Sequence, residues 1–213
     1  MLYIVDDDTV LSDALAWMAR SRKLTSIRFT SGEQLLAALG LLDIAGIDIA
    51  VLGDNVPKRI PYDPAGDCIL LDVRMDGING VAAFEIISRE QINKRIPVIF
   101  MTGHGDVPMA VDTLKLGAFD FFEKPFNDNL LFDRVFEALA LSQKSGELAQ
   151  VYDRVETLTA REREVLELIL LGKMNKVIAD DLGISMRTVE VHRANIFDKM
   201  EVKTAVELAG LLK

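Results

Sequence analysis

The sequence predicts an α/β domain with a doubly wound, five-stranded parallel sheet, followed by an all-α domain. In the first half, short apolar runs alternate with amphipathic stretches of helical periodicity, an order typical of a parallel sheet with helices on both faces. The second half is helical throughout, with glycine turns and capping residues between its segments. With 213 residues, half of them apolar, the chain can form two cores.

Five apolar runs in the first half are the candidate strands. Each is short and bounded by polar residues, as expected for strands buried on both faces. The runs are residues 2–5, 25–29, 69–71, 97–101 and 119–122. Apolar spacings of three and four predict helices near Leu11, near Phe84, near Met109 and near Leu131.

Residues 41–66 interrupt this alternation. They contain three prolines and three glycines around an apolar stretch at residues 47–52, and we interpret them as an insertion with one or two short strands. The predicted organisation is therefore a sheet domain at residues 1–127 with an insertion at about 41–66, a last helix and helical linker at 128–156, and a helical domain at 157–213.

Two sites in the second half match the capping box, in which a Thr or Ser side chain and a Glu three residues later bond each other's backbone amides. They are Thr159 with Glu162, and Thr204 with Glu207. Between them we expect a short helix at residues 176–182, a turn at Gly183 and a longer helix from Ser185 to about residue 200. This is the pattern of a helix-turn-helix unit.

The net charge of −9 is unevenly distributed. Residues 157–213 carry nine Lys/Arg and nine Asp/Glu, so the first 156 residues carry the whole excess of acid. An acidic first part suits cations, while the neutral second part can still display a basic face to nucleic acid.

Composition also bounds the location of the chain. The sequence has no window of eighteen uninterrupted apolar residues, so we expect no membrane span. The apolar N-terminal run lacks the basic region of a secretory signal. Cys68 is the single cysteine, and its apolar run predicts a small buried side chain. We expect a cytoplasmic protein with no membrane partner.

Polar residues at the ends of the predicted strands form a candidate phosphoryl-transfer site. Asp72 is the candidate nucleophile, and Asp6 and Asp7 can hold Mg²⁺, which prefers oxygen ligands. Lys124 supplies a fixed positive charge and Thr102 a hydroxyl. Catalysis at such a site is mainly positioning and charge neutralisation.

Two other interpretations of these residues remain. Strand-end aspartates can simply cap the following helices, although that does not explain why each group follows a different strand. A Mg²⁺-dependent phosphohydrolase with Asp72 as nucleophile needs an acid or base two residues further on, and Arg74 cannot serve. We therefore expect a regulator rather than an enzyme.

The first half resembles the receiver domains of two-component response regulators, which have a flavodoxin-like fold. The resemblance lies in residues 4–8 (IVDDD), 71–75 (LDVRM), 101–106 (MTGHGD) and 122–126 (FEKPF). The second half resembles the LuxR-type DNA-binding domain of the NarL/FixJ group, and most of all its FixJ branch, in residues 158–166 (LTAREREVL) and 188–192 (TVEVH).

The resemblance implies a role for each residue of the candidate metal site. A sensor histidine kinase would transfer phosphoryl to Asp72, and Asp7 and Asp72 would bind Mg²⁺ directly. Asp6 would act largely through water, and the backbone carbonyl of Arg74 would complete the site.

The resemblance also implies a switch. Thr102 would turn its hydroxyl onto the phosphoryl group, Phe121 would then rotate inward, and Lys124 would bridge the phosphoryl group and the acidic pair. The family usually has proline where this chain has Asp76, and that extra carboxylate can alter the phosphoryl lifetime. His104 also lies in this region, but the family does not require a histidine there.

The helix after Ser185 is the candidate DNA-reading helix. The spacing of Val189, Ile196 and Met200 turns them to the core, which leaves the opposite face exposed for the major groove. Basic residues there position the protein on phosphates, whereas Glu190 can accept from cytosine and Val191 can contact a thymine methyl group. The candidate DNA-binding residues are Lys176, Arg187, Thr188, Glu190, Val191, Arg193, Ala194 and Lys199.

Together these features predict a transcription regulator controlled by phosphorylation. Phosphoryl on Asp72 would favour one arrangement of the switch and create a dimer surface, for which family members often use the region of residues 106–140. The expected partners are a histidine kinase, promoter DNA, a second copy of the chain and RNA polymerase. A regulator of the same architecture switched without phosphorylation is the alternative.

Overall fold

The structure, a computed structural model, describes residues 1–41, 60, 62–103 and 107–212, and within these the side chains of residues 107–110 are left aside. The strands expected in the insertion at residues 47–52, and His104, lie outside the described residues. The described chain forms two compact units, Met1–Gly146 and Glu147–Lys213.

The first unit contains a parallel sheet of five strands in its described part. The strands are β1 (Leu2–Val5), β2 (Ser26–Phe29), β3 (Cys68–Asp72), β4 (Val98–Thr102) and β5 (Asp120–Glu123). Their order is β2-β1-β3-β4-β5, and every neighbouring pair is parallel. The predicted doubly wound sheet is confirmed.

Helices follow the strands and cover both faces of the sheet. They are α1 (Thr9–Ser21), α2 (Gly32–Ala38), α3 (Gly80–Arg89), α4 (Val107–Lys115) and α5 (Asp128–Glu156), with a 3-10 turn at Ile92–Lys94. Helix α2 has no counterpart among the predicted elements. The connector expected to be helical belongs to α5, and so does the predicted last helix.

Alternate residues of each central strand bury against opposite cores. Tyr3, Val5 and Leu71 belong to the core that includes residues of α2 and α3. Ile4 and Cys68 belong to the core with α1 and α5. Because successive side chains of a strand point to opposite faces, both faces are apolar and the sheet is buried on each side.

The second unit is helical in its described part. After the end of α5 come α6 (Ala160–Leu170), α7 (Asn175–Leu182), α8 (Met186–Met200) and α9 (Ala205–Leu211). Val165, Ile178 and Val189, one from each of the first three, are fully buried in the shared core. Gly183 closes α7 with φ of +64°, a left-handed conformation that glycine adopts readily.

The two predicted capping boxes have different outcomes. The box of Thr159 and Glu162 is complete, with both reciprocal hydrogen bonds. At α9 the hydroxyl of Thr204 accepts from the amide of Glu207, but the Glu207 carboxylate accepts from Lys203 over 2.8 Å. The predicted hydrogen bond from the amide of Thr204 to the Glu207 carboxylate was therefore wrong, since the carboxylate accepts from the preceding residue instead.

Candidate phosphoryl site and DNA-binding face

The carboxyl ends of the central strands bring the predicted site residues to one edge of the sheet. Asp72 is the last residue of β3, Thr102 is the last of β4, and Asp6 directly follows β1. The amide of Lys124 donates to the carbonyl of Thr102 over 2.6 Å, so β5 delivers the lysine to the same edge.

The three aspartates after β1 divide into two roles. Asp8 is the N-cap of α1, and its carboxylate accepts from the amides of Val10 and Leu11 at 2.9 and 3.2 Å. Helix capping therefore explains Asp8. Asp6 instead is 1% exposed and belongs to the site, and Asp7 is exposed beside it.

Lys124 joins two buried carboxylates. Its ammonium donates to Asp6 over 2.8 Å and to Asp72 over 2.6 Å. Burial favours the neutral amine, but the hydrogen bonds to the two carboxylates outweigh it, so the pKa of Lys124 is raised above its usual value. The lysine is a fixed positive charge at the edge of the sheet.

Asp72 lies in a less favourable environment for its charge. Burial raises the pKa of Asp72 above its ordinary value, although the hydrogen bond and charge of Lys124 lower it, and the neighbouring Asp6 raises it further. The Asp72 carboxylate also accepts from the amide of Arg74 over 3.0 Å. Two carboxylates that share one lysine leave an excess of negative charge, which a cation would neutralise.

The donor set fits a hard divalent cation. Asp6, Asp7 and Asp72 each offer a carboxylate oxygen, and these oxygens lie within 4.8 Å of one another. Oxygen ligands in this number, with one exposed side chain that leaves access to water, suit Mg²⁺. Arg74, whose backbone carbonyl is the further candidate ligand, lies two residues beyond Asp72 in the loop that follows β3.

Thr102 and Phe121 lie on the strands next to this centre. Thr102 is 2% exposed, and its hydroxyl donates to the carbonyl of Gly103 over 3.1 Å. Phe121 on β5 is half-buried and packs at the border of the core that contains α2 and α3. The Thr102 hydroxyl thus lies at the end of β4, the strand next to the one that ends in Asp72.

A cavity of about 700 Å³ opens beside the site. Asp7, Arg74 and Asp76 line it, together with Glu85 of α3. Asp76, the residue that replaces the usual proline, is exposed in this cavity. The extra carboxylate therefore faces the space through which a phosphoryl donor or water would approach.

The loop from Asp72 to α3 approaches other backbone closely. A Cβ at Gly80 would lie 2.0 Å from the carbonyl oxygen of Asp72, so only glycine allows α3 to begin there. Glu33 at the start of α2 accepts from the amide of Ile78 in this loop over 2.6 Å. Sequence analysis missed Glu33, because its only local signal is an acidic residue in a first helical turn.

The candidate DNA-reading helix α8 has the predicted core face. Val189, Ile196 and Met200 are fully buried. The hydroxyl of Ser185 caps the helix by accepting from the amide of Thr188. Five of the predicted DNA-binding residues are exposed: Lys176, Arg187, Glu190, Val191 and Ala194.

Three other candidates make contacts within the domain. The ammonium of Lys199 donates to the buried Glu162 over 2.7 Å, which gives Lys199 a structural role and disfavours the predicted phosphate contact. The hydroxyl of Thr188 shares a hydrogen bond with that of Ser185. The guanidinium group of Arg193 lies over the ring of Phe197, with its Cζ atom 5.4 Å from the ring centroid.

Comparison with protein families assigns each part of the chain. The family described as response regulator receiver domain matches residues 58–136. The model described as bacterial regulatory proteins, luxR family, matches residues 156–212. The receiver match begins at residue 58, so it omits β1 and the aspartates Asp6 and Asp7 that follow it.

Whole-chain similarity covers what the receiver match omits. The C4-dicarboxylate transport transcriptional regulatory protein DctR of Rhodobacter capsulatus is 40% identical over 99% of this chain and 98% of its own length. The transcriptional regulatory protein FixJ of Azorhizobium caulinodans is 38% identical over 99% of this chain and 90% of its own length.

A solved structure of similar fold matches nearly the whole chain. The response regulator StyR is 32% identical, with a TM-score of 0.64 over 99% of this chain and 96% of that protein. Among the described residues, no helix is both long and apolar enough to cross a bilayer.

Proposed function

We propose, because this chain belongs to the NarL/FixJ group of two-component response regulators, that Asp72 accepts a phosphoryl group from a sensor histidine kinase. Members of this group are transcription regulators that join a receiver domain to a LuxR-type DNA-binding domain, and are not enzymes. The observation that supports the proposal best is the Lys124 ammonium held between Asp72 and Asp6 at the edge of the sheet.

The transfer is a displacement at phosphorus. A carboxylate oxygen of Asp72 forms a bond to phosphorus while the bond from phosphorus to the donor's histidine nitrogen breaks, and its electron pair stays on the nitrogen. Lys124 neutralises phosphoryl oxygens as they come near the two aspartates. The cavity lined by Asp7 and Arg74 gives the donor an open approach.

Mg²⁺ is the cofactor that these carboxylates fit, and when bound it neutralises phosphoryl oxygens during transfer. Asp7 and Asp72 would hold it directly, with Asp6 acting through water and the carbonyl of Arg74 as a further ligand. These assignments agree with the grouping of the three carboxylates, whose oxygens lie within 4.8 Å of one another.

The modified Asp72 then shifts a conformational equilibrium. The hydroxyl of Thr102 turns from the carbonyl of Gly103 to the phosphoryl group, and the half-buried Phe121 moves inward into the space that Thr102 leaves. Such a change needs only a difference in interaction free energy between two states of the receiver. Phe121 lacks a hydroxyl, so burial alone favours its inward position.

The phosphorylated receiver forms a homodimer through the region of residues 106–140. Exposed apolar side chains in this region supply area that a dimer can bury: Val111, Leu114, Leu116, Leu130 and Phe136. A dimer would set two α8 helices about one turn of DNA apart. The complex on promoter DNA would then act on RNA polymerase.

The DNA contacts divide into positioning and reading. The exposed Lys176 and Arg187 contact phosphates, and Arg193 is a further candidate from its partly exposed position. Glu190, Val191 and Ala194 face base edges, with Glu190 accepting from cytosine and Val191 touching a thymine methyl group.

Phosphorylation and DNA selection on the same samples test the proposal. Wild type and Asp72→Asn are incubated with acetyl phosphate and Mg²⁺, and their masses are measured by intact-mass spectrometry. We expect an acid-labile gain of one phosphate on wild type alone. Random DNA selected on both proteins should then be enriched for a motif only by the phosphorylated wild type.

Two outcomes would contradict parts of the proposal. Equal enrichment by both proteins would remove the phosphorylation switch and leave a DNA-binding protein controlled in another way. Absence of the mass gain with both acetyl phosphate and a phosphorylated kinase would remove Asp72 as the acceptor.

A further inference from the structure

The middle of the loop after Asp72 is fastened to a helix distant in sequence. The amide of Ile78 donates to the carboxylate of Glu33 over 2.6 Å, across 45 positions of the chain. Glu33 lies in the first turn of α2, where a negative charge is favoured by the helix dipole. The side chain of Ile78 packs at the border of the core that contains α2, so the contact is partly shielded from water.

The backbone on both sides of this hydrogen bond is closely packed. A Cβ on Gly77, whose φ is +76°, would lie 2.3 Å from the Glu33 carboxylate. A Cβ on Gly32 would lie 2.3 Å from the carbonyl oxygen of Ile78. The start of α2 and the loop therefore meet without room for side chains between them.

The same loop begins and ends at the candidate phosphoryl site. The amide of Arg74, two residues beyond Asp72, donates to the Asp72 carboxylate. The amide of Gly80, the first residue of α3, donates to the carbonyl of Val73 over 3.1 Å. A restraint at Ile78 consequently limits the positions open to the carbonyl of Arg74.

We propose that Glu33 is a positioning residue for the phosphoryl site, which fixes the loop at residues 76–79 and through it the Arg74 carbonyl. This inference rests on the proposed function. Asp76 stands where the family usually has a proline, which would restrict φ, and Gly77 after it has the most backbone freedom of any residue type. The loop sequence therefore restrains its own backbone little. The hydrogen bond from the amide of Ile78 to the Glu33 carboxylate supplies the missing restraint from outside the loop.

Three variants of the full chain test this role. Glu33→Ala removes the acceptor, and Glu33→Gln keeps an acceptor oxygen while removing the charge. Glu85→Ala removes an exposed carboxylate of α3 that lines the cavity beside the site but makes no hydrogen bond to the described residues of the loop. Each is titrated with MgCl₂ by calorimetry, and the backbone amide of Ile78 is followed by NMR hydrogen exchange.

We expect Glu33→Ala to weaken Mg²⁺ binding roughly tenfold, the lower end of what is lost when a group behind a metal ligand is removed. Exchange of the Ile78 amide should accelerate in the same variant without added metal. Glu33→Gln should restore both values to near those of wild type, and Glu85→Ala should leave amide exchange unchanged. A general loss of stability would not be rescued by glutamine in this way.

Gly77→Ala provides a second approach from the loop side. Its methyl group would displace the Glu33 carboxylate, and alanine is itself strained at a φ of +76°, so the Mg²⁺ affinity should fall at least as far as in Glu33→Ala. If Glu33→Ala does not fold, an unchanged Mg²⁺ affinity in Gly77→Ala would overturn the role of Glu33.

Different results would overturn different proposals. Unchanged Mg²⁺ affinity in folded Glu33→Ala, beside a wild type that binds the metal and is phosphorylated, would overturn the role of Glu33 alone. A wild type that neither binds Mg²⁺ nor takes phosphoryl from acetyl phosphate would overturn the proposed function and this inference together.

Discussion

The ammonium of Lys124 contacts two carboxylates, at 2.8 and 2.6 Å, and the exposed Asp7 brings a third negative group to the same place. One positive charge therefore faces three negative ones when no cation is bound. Like charges this close destabilise the folded state, since the unfolded chain separates them. The site is consequently built for ligand binding at some expense of stability.

Removing one of these charges should stabilise the metal-free receiver. We expect Asp72→Asn in EDTA to raise the melting temperature of the first unit by about 2–4 °C, the shift that about 1 kcal/mol produces in a chain of this size. The amide keeps the shape of the side chain and an acceptor for Lys124. Differential scanning calorimetry measures the difference.

Adding Mg²⁺ is the control for that measurement. The metal should stabilise wild type more than Asp72→Asn, because it binds only where the carboxylates converge. A variant less stable than wild type in EDTA would show that the Asp72–Lys124 ion pair outweighs the repulsion.

The strand-end residues of the site could be predicted from the sequence because parallel strands carry their carboxyl ends to one edge. The positions of the strands were enough to predict that Asp6, Asp72 and Lys124 lie together. Glu33 could not be predicted, since its partner amide lies on a loop whose path is set by tertiary contacts. Lys199 was a candidate for its positive charge on the predicted helix, and the sequence did not indicate its ion pair with Glu162.

At the scale of elements, α6 is held at its first turn by a buried carboxylate. Glu162 is 4% exposed and accepts from the amide of Thr159 over 2.9 Å and from Lys199 of α8 over 2.7 Å. Burial alone would raise the pKa of Glu162, but the hydrogen bonds of Lys199 and Thr159 lower it to about 2. One side chain thus caps one helix and joins it to another.

The low pKa makes this stabilisation depend on pH. A carboxyl with a lowered pKa stabilises the fold fully above its ordinary value of 4.5, and the effect is lost as the pH falls towards about 2. We expect Glu162→Gln to destabilise the second unit by about 2 kcal/mol at pH 7. The difference from wild type should shrink below pH 4.5, measured by urea unfolding followed through NMR signals of α6.

Glu164→Gln is the matched control on the same helix. Glu164 is 52% exposed and pairs with Arg161 at the surface, where ion pairs contribute little. Its effect should be close to zero at every pH. Equal losses in both variants would show that the burial of Glu162 has no special weight.

The sequence predicted the types of most elements and their approximate bounds. Strongly apolar or capped elements such as β1 and α8 agree with the structure to within a residue or two. The seven residues of α2 have a short pattern that did not separate them from the following insertion. The carboxylate of Glu207 reaches Lys203 because two neighbouring amides are both open at a helix start.

At the scale of the whole molecule, the charge of −9 lies entirely outside the DNA-binding domain. We therefore expect DNA affinity to depend on a few basic residues of that domain, and each phosphate contact should be visible in the salt dependence of binding. Arg187, exposed near the start of α8, is the candidate best placed for such a contact.

We expect Arg187→Ala in the phosphorylated full chain to weaken binding to all DNA sequences alike. The slope of log affinity against log salt should fall by about 0.9, the value for one lost phosphate contact. Fluorescence anisotropy at several salt concentrations gives the slope.

Arg89→Ala removes the same charge from α3 in the receiver and serves as control. Its salt slope should equal that of wild type. An unchanged slope for Arg187→Ala, or an equal change in both variants, would exclude a phosphate contact by Arg187.

The burial of Cys68 gives the chain a practical advantage for spectroscopy. Cys68 lies on β3 and is fully buried, and burial raises the pKa of its thiol, so thiol-reactive dyes should not modify it in the native state. A cysteine introduced at Val206, which is 83% exposed on α9 and is not a candidate DNA-binding residue, would then be the one labelled position in an otherwise natural background. Fluorophores or spin labels could report docking on an operator without a prior mutation to remove cysteine.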